Sequence, residues 1–145
     1  MTTSEDTNEQ TVHIVDDDLS LLKSVSRSLS KRGLKTRGFA SAEDFITYFG
    51  DGKPGCIVLD FGLPGMNGLE LQQHLNEKDI STPVIFITGH GGVPESVKAT
   101  KAGAIDFLEK PYEPQVLADR IAQAFEIDRC NARKHAEKVP DLGDL

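Results

Sequence analysis

Short apolar runs alternate with amphipathic stretches along this chain, and that order is what the sequence first dictates. Val12-His13-Ile14-Val15, Cys56-Ile57-Val58-Leu59, Pro83–Thr88 and Ile105-Asp106-Phe107-Leu108 are too short for helices and rich in residues that favour pleated structure, so each predicts a strand. A shorter, more polar strand is expected over Leu34–Phe39. Between the strands, Leu19–Arg32 carries Leu21, Leu22, Val25 and Leu29 at helical spacing and stops at Gly33. Ser41-Ala42-Glu43-Asp44 has the form of a capping box opening a helix that buries Phe45, Ile46 and Phe49. The loop Gly62-Leu63-Pro64-Gly65-Met66-Asn67-Gly68 leads into a helix with Leu69, Leu71 and Leu75 on its apolar side. A second loop, Gly89-His90-Gly91-Gly92, precedes a helix over Pro94–Ala102 that Gly103 stops. Pro114–Arg133 is the last helix, extending toward Lys138 before Pro140 ends it.

Five successive strand-then-helix units predict an α/β fold with a doubly wound, five-stranded parallel sheet and helices on both faces. Right-handed crossovers leave few layouts, and the flavodoxin-like order 2-1-3-4-5 places strands one and three side by side. Ligands in such sheets bind outside the carboxyl ends of the strands, where the order reverses.

Composition bounds the function. A length of 145 residues suits one domain, expected over 11–127, with a disordered segment over 1–10 and a helical extension or linker over 128–145. A net charge of −7 without a Lys/Arg cluster argues against nucleic-acid binding by this chain's own surface. Two cysteines, Cys56 in an apolar strand and Cys130 in a polar stretch, suit a reducing cytoplasm, not a disulfide framework. No apolar run reaches the roughly 20 residues of a membrane span, and residues 1–10 lack the form of a signal peptide. The chain reads as a soluble, cytoplasmic protein without a membrane partner.

Chemistry gathers at the strand ends. Asp16 and Asp17 follow strand one, Asp60 ends strand three, Thr88 ends strand four and Lys110 follows strand five, so all five converge on one edge of the sheet. Asp16-Asp17-Asp18 alone reads as a solvated turn capping a helix. With Asp60 on the neighbouring strand it becomes a cluster of carboxylates that either keeps a proton or binds a cation, and hard oxygen donors suit Mg²⁺. A hydroxyl and an ammonium beside that cluster complete the parts of a site for a divalent cation and a phosphoryl group.

Those residues resemble the receiver, or phosphoacceptor, domain of bacterial two-component response regulators. The resemblance covers about 11–127 and rests on Val15-Asp16-Asp17-Asp18, Leu59-Asp60 with Pro64 and Gly68, Ile87-Thr88-Gly89, and Lys110-Pro111 in that order. The stretches around Asp16, Thr88 and Lys101–Pro111 are most similar to the nitrogen-fixation regulator subgroup, whose members carry a LuxR-type DNA-binding domain behind the receiver. The resemblance implies a role for each position. Asp60 accepts the phosphoryl group from a sensor histidine kinase. Asp16, Asp17, Asp60 and the backbone carbonyl of Gly62 hold Mg²⁺. Lys110 pairs with Asp60 before phosphorylation and with phosphoryl oxygens after it, and the Lys110-Pro111 bond is cis. Thr88 and Phe107 form a switch that rearranges the face made by the helix at 94–102, strand five and the last helix, giving a phosphorylation-dependent homodimer and transcriptional output through a DNA-binding domain absent from this chain. Such a domain is no ordinary enzyme: it catalyses its own aspartyl phosphorylation and slow dephosphorylation.

Departures set limits. Gly62 has no side chain where relatives carry a polar group, and His90 occupies a position that tunes the hydrolytic water, so phosphoaspartate lifetime stays open. A dehalogenase-type phosphatase requires a second Asp two residues after the nucleophile, where Gly62 stands. A flavin module requires a phosphate loop after strand one, where three Asp residues would repel phosphate. A degenerate receiver acting as a phosphorylation-independent docking module is the alternative that keeps the same fold.

Overall fold

A computed structural model describes residues 10–89, 98, 100, 101 and 103–143, with side chains as far as Asn131. Residues 1–9 of the expected disordered segment, His90, and most of the expected 94–102 helix lie outside the described residues, whereas Gln10, expected within that segment, is held by hydrogen bonds to the last helix. The strands are β1 (Thr11–Val15), β2 (Lys35–Phe39), β3 (Gly55–Asp60), β4 (Val84–Thr88) and β5 (Asp106–Glu109), all parallel, in the order β2-β1-β3-β4-β5. The helices are α1 (Leu19–Lys31), α2 (Ala42–Phe49), α3 (Gly68–Glu77) and α4 (Pro114–Gly143). The expected sheet is therefore the observed one, with strand limits shifted by a residue or so. Lys98, Thr100 and Lys101 are helical, and Gly103 donates to the Thr100 carbonyl at φ +108°, the left-handed stop its position suggested.

Period-two alternation sorts the sheet's side chains into two cores. Val12, Ile14, Cys56, Val58, Ile85 and Ile87 pack on Leu22, Val25 and Leu29 of α1 and Leu117, Ile121 and Ala124 of α4. Val15, Ile57, Leu59, Val84 and Phe86 face the other way, onto Phe45 and Phe49 of α2 and Leu71 and Leu75 of α3. Burial on both faces explains why β3 and β4 are apolar without alternation.

The helix ends follow local chemistry. Asp18 caps α1 by accepting from Leu21 N–H, and Ser41 caps α2 by accepting from Asp44 N–H. At α3, Asn67 and Glu70 form the full reciprocal box. On α3 the inward positions include Gln72, which bonds Asn76, while Leu69 is only half-buried. The last helix does not stop before Pro140 but runs to Gly143. Its middle is fixed by a polar clasp at the end of the sheet opposite the acidic cluster. Asp128 Oδ2 accepts from Gly55 N–H (3.0 Å) and from Gln10 Nε2 (2.9 Å), and Gln10 also donates to the Phe125 carbonyl (2.8 Å). Gly55 lies at φ +128°, where a Cβ would come within 1.9 Å of the Thr11 carbonyl oxygen, so only glycine lets this strand start there.

Candidate phosphoacceptor site

The site is assembled where β1 and β3 end side by side, because their register pairs Val15 with Leu59 and leaves Asp16 and Asp60 as the next residues along. Asp16 and Asp60 are buried and Asp17 is exposed; carboxylate oxygens of the three lie within 4.8 Å of one another. Asp16 is anchored from both sides: its N–H donates to the Phe39 carbonyl (3.0 Å) and its Oδ1 accepts from Asp18 N–H (2.9 Å). Asp60 Oδ1 accepts from Gly62 N–H at 3.1 Å, and Phe61 N–H reaches back to the Ile87 carbonyl at 2.8 Å.

Lys110 enters from β5. Its N–H donates to the Thr88 carbonyl (2.7 Å), tying the two strand ends together, and the Lys110-Pro111 bond is cis as expected. The ammonium lies 3.1 Å from Asp16 Oδ2 and 3.8 Å from Asp60 Oδ2. The expected pairing with Asp60 is thus secondary here. Each carboxylate has one oxygen satisfied by a backbone N–H, Asp18 for Asp16 and Gly62 for Asp60, and of the two remaining oxygens the more deeply buried Asp16 offers the shorter charge-assisted contact. Thr88 is buried at the end of β4, and Phe107 is half-buried against the core on the α2–α3 side.

Burial raises the Asp60 carboxyl above the ordinary Asp range. The Gly62 hydrogen bond and Lys110 oppose that shift, while Asp16 and Asp17 add to it. Such a carboxylate is costly to ionise and is stabilised by any added positive charge. Three hard oxygen donors within mutual reach, one kept costly by burial, match the donor set Mg²⁺ prefers. The residues therefore fit the metal that the resemblance implies.

Tyr112 is the site neighbour that the sequence did not single out. Its phenol is pushed up to about 12 by burial, then by the charges of Asp16 and Asp60. Its place two residues after Lys110 was the available signal. Gly68 is equally specific: a Cβ there would meet the Asp60 carbonyl oxygen at 2.5 Å and Phe86 at 3.0 Å. The loop after Asp60 can close over β3 only because that residue has no side chain.

Comparison with known proteins agrees with this geometry. The Transcriptional regulatory protein FixJ of Rhizobium meliloti (strain 1021) is 43% identical over 118 residues, covering 81% of this chain and 58% of that protein. The Response regulator protein TmoT of Ectopseudomonas mendocina is 39% identical over 137 residues, covering 94% of this chain and 60% of TmoT. The chain thus spans about three-fifths of the length of the curated relatives it matches. Among solved structures, the crystal structure of FixJ-N superposes with a TM-score of 0.76 at 43% identity, covering 81% of this chain and 94% of that one. The response regulator StyR gives 0.83 at 38% identity, covering 94% of this chain and 70% of StyR. Receiver domains of two-component response regulators are phosphorylated on an aspartate and generally bind Mg²⁺ at an acidic pocket. Residues 12–122 match the response regulator receiver domain family, and the chain belongs to it.

Proposed function

We propose that Asp60 is the phosphoacceptor, that Asp16, Asp17, Asp60 and the Gly62 carbonyl hold Mg²⁺, and that a sensor histidine kinase is the physiological donor. The observation that carries this reading is the convergence of three carboxylates within 4.8 Å beside an ammonium 3.1 and 3.8 Å from two of them. Gly62 N–H fixes Asp60 through Oδ1 and leaves Oδ2 facing Lys110. Oδ2 is accordingly the attacking oxygen: it forms the new P–O bond as the P–N bond to the donor imidazole breaks, giving an acyl phosphate. When bound, Mg²⁺ supplies charge neutralisation for the phosphoryl oxygens. Lys110 is positioned to move its charge from Asp16 to a phosphoryl oxygen, and Thr88, whose carbonyl holds Lys110 N–H, is positioned to offer its hydroxyl.

Phosphorylation then draws Thr88 toward the phosphoryl group and lets the half-buried Phe107 turn into the space it leaves, altering the surface formed by β5 and α4. That surface pairs with a second copy and controls transcription through a DNA-binding domain outside this chain, in a cytoplasmic setting. Among the described residues no helix is long and apolar enough to cross a membrane.

Intact mass after incubation with Mg²⁺ and acetyl phosphate tests the reading. One added phosphoryl group, lost in Asp60→Asn and with EDTA, is expected. A wild-type protein that binds neither Mg²⁺ nor phosphoryl would instead be a docking module.

A further inference from the structure

We propose that Glu43, on α2, is a positioning residue for the acidic site: it holds the loop after Asp60 and so sets where the Gly62 carbonyl stands relative to the three carboxylates. Glu43 Oε2 accepts from Met66 N–H at 3.3 Å, and the same oxygen lies 3.5 Å from the point that a Cβ on Gly65 would occupy. Glu43 stands in the first turn of α2, behind the Ser41 cap, where the helix dipole favours a carboxylate. Its hydrogen bond to the loop is therefore charge-assisted.

The middle of that loop is lightly held. Phe61 N–H donates to the Ile87 carbonyl and the Phe61 carbonyl accepts from Gly68 N–H, which secures both ends. Leu63 is buried in the core on the α2–α3 side, and Asn67 N–H donates to Glu70 of α3. Between them, Pro64 and Gly65 are exposed, and the Met66 side chain packs only partly against the same core. Pro64 has no N–H to donate, and Gly65 has no side chain to pack. Met66 N–H is where the backbone of this stretch is tied to a neighbouring element.

The same short segment grips the other half of the site. The Phe39 carbonyl, at the end of β2, accepts from Asp16 N–H at 3.0 Å, and Glu43 follows in the first turn of the next helix. Phe39 to Glu43 therefore holds both the backbone of Asp16 and the loop that carries Gly62. The metal proposed at Asp16, Asp17, Asp60 and the Gly62 carbonyl takes ligands from both sides of that grip, and Mg²⁺ demands near-ideal octahedral geometry. With Glu43 gone, the carboxylates stay in place while the neutral ligand drifts. The loss then falls on metal affinity and not on the rate at saturating metal. This consequence rests on the proposed Mg²⁺ site; the contact between Glu43 and Met66 does not.

An exposed carboxylate near an acidic cluster also attracts a cation through charge alone, and two variants separate that effect from positioning. Glu43→Gln keeps an acceptor oxygen and removes the charge, whereas Glu43→Asp keeps the charge and shortens the reach by one methylene. Calorimetric Mg²⁺ titration of the whole chain, amide NMR of the metal-free chain, and initial rates of phosphoryl uptake from acetyl phosphate across Mg²⁺ concentrations test the proposal. Glu43→Ala and Glu43→Asp, each checked for native amide dispersion, should weaken Mg²⁺ binding about threefold, the worth of one modest hydrogen bond. Both should also move the Gly65 and Met66 amide resonances before any metal is added. Glu43→Gln should stay close to wild type in affinity and in those resonances. The half-saturating Mg²⁺ concentration for uptake should rise with the dissociation constant, while the rate at saturating Mg²⁺ stays near that of wild type. Glu43→Gln behaving like Glu43→Ala, or Glu43→Asp like wild type, would reduce the effect to charge and overturn positioning. Unchanged Mg²⁺ affinity in Glu43→Ala, or a slower rate at saturating Mg²⁺ with unchanged affinity, would overturn it as well. A wild-type chain that takes up no Mg²⁺ would sink the metal reading itself, whereas Mg²⁺ uptake indifferent to Glu43 sinks only the role of Glu43.

Discussion

His13 and Asp60 are buried titratable side chains on adjacent parallel strands, yet one lies in the body of the sheet and the other at its carboxyl end. His13 is 1% exposed, neither ring nitrogen has a hydrogen-bonding partner, and Phe45, Tyr48 and Phe49 surround the ring. Burial lowers its pKa to about 4, with Lys53 and Arg37 pushing the same way and the Pro54 carbonyl opposing. Asp60 has a hydrogen-bond donor, a cation and two like charges around it. Burial favours the neutral form of both groups, but only Asp60 has neighbours that make its charged form usable. The same desolvation gives a packing residue in one place and a reactive one in the other, and the neighbours decide which.

The comparison breaks most visibly at Asp60 itself: Asp60→Asn should abolish phosphoryl uptake, while His13→Leu should leave uptake detectable by intact mass. For His13 the folded pKa lies below the unfolded value, so its contribution to stability is whole above about pH 6.5 and is lost as pH falls toward about 4. The loss amounts to about 3 kcal/mol over that window, and urea titrations at several pH values should show it disappear in His13→Leu. Asp60 has the opposite sign. Its folded pKa is raised, so stability is whole below the ordinary Asp range and declines as pH rises through the interval up to the raised value. Asp60→Asn should therefore unfold at higher urea than wild type at neutral pH without Mg²⁺, by about 1 kcal/mol. Lys110→Met sharpens the contrast most gently. With the ammonium gone from beside Asp16 and Asp60, apparent Mg²⁺ affinity by calorimetry should rise about threefold, roughly 0.6 kcal/mol, while phosphoryl uptake slows.

Much of this was legible because strand ends are legible. Apolar runs stop at Asp16, Asp60 and Thr88, and the strand order implied by right-handed crossovers brings those stops together. What the sequence hid depends on contacts between distant residues. Nothing local says that Lys110 lies nearer Asp16 than Asp60, since that is a contact between residues 94 positions apart in the chain. Nor does spacing show that Gln72 turns inward on α3 while Leu69 stays half-buried. Pro140 reads as a helix stop, yet α4 continues to Gly143.

The clasp at Asp128 bears on how the domain is dissected. A fragment cut at residue 127 keeps every strand, yet it removes the acceptor for Gly55 N–H and two partners of Gln10, Asp128 and Arg129, unpairing a buried amide where β1 and β3 begin. Asn131, which donates to the Ser81 carbonyl, would go with it. For chimaeras that graft this receiver onto a foreign output module, the junction therefore belongs beyond Asn131, so that the graft inherits the brace along with the sheet.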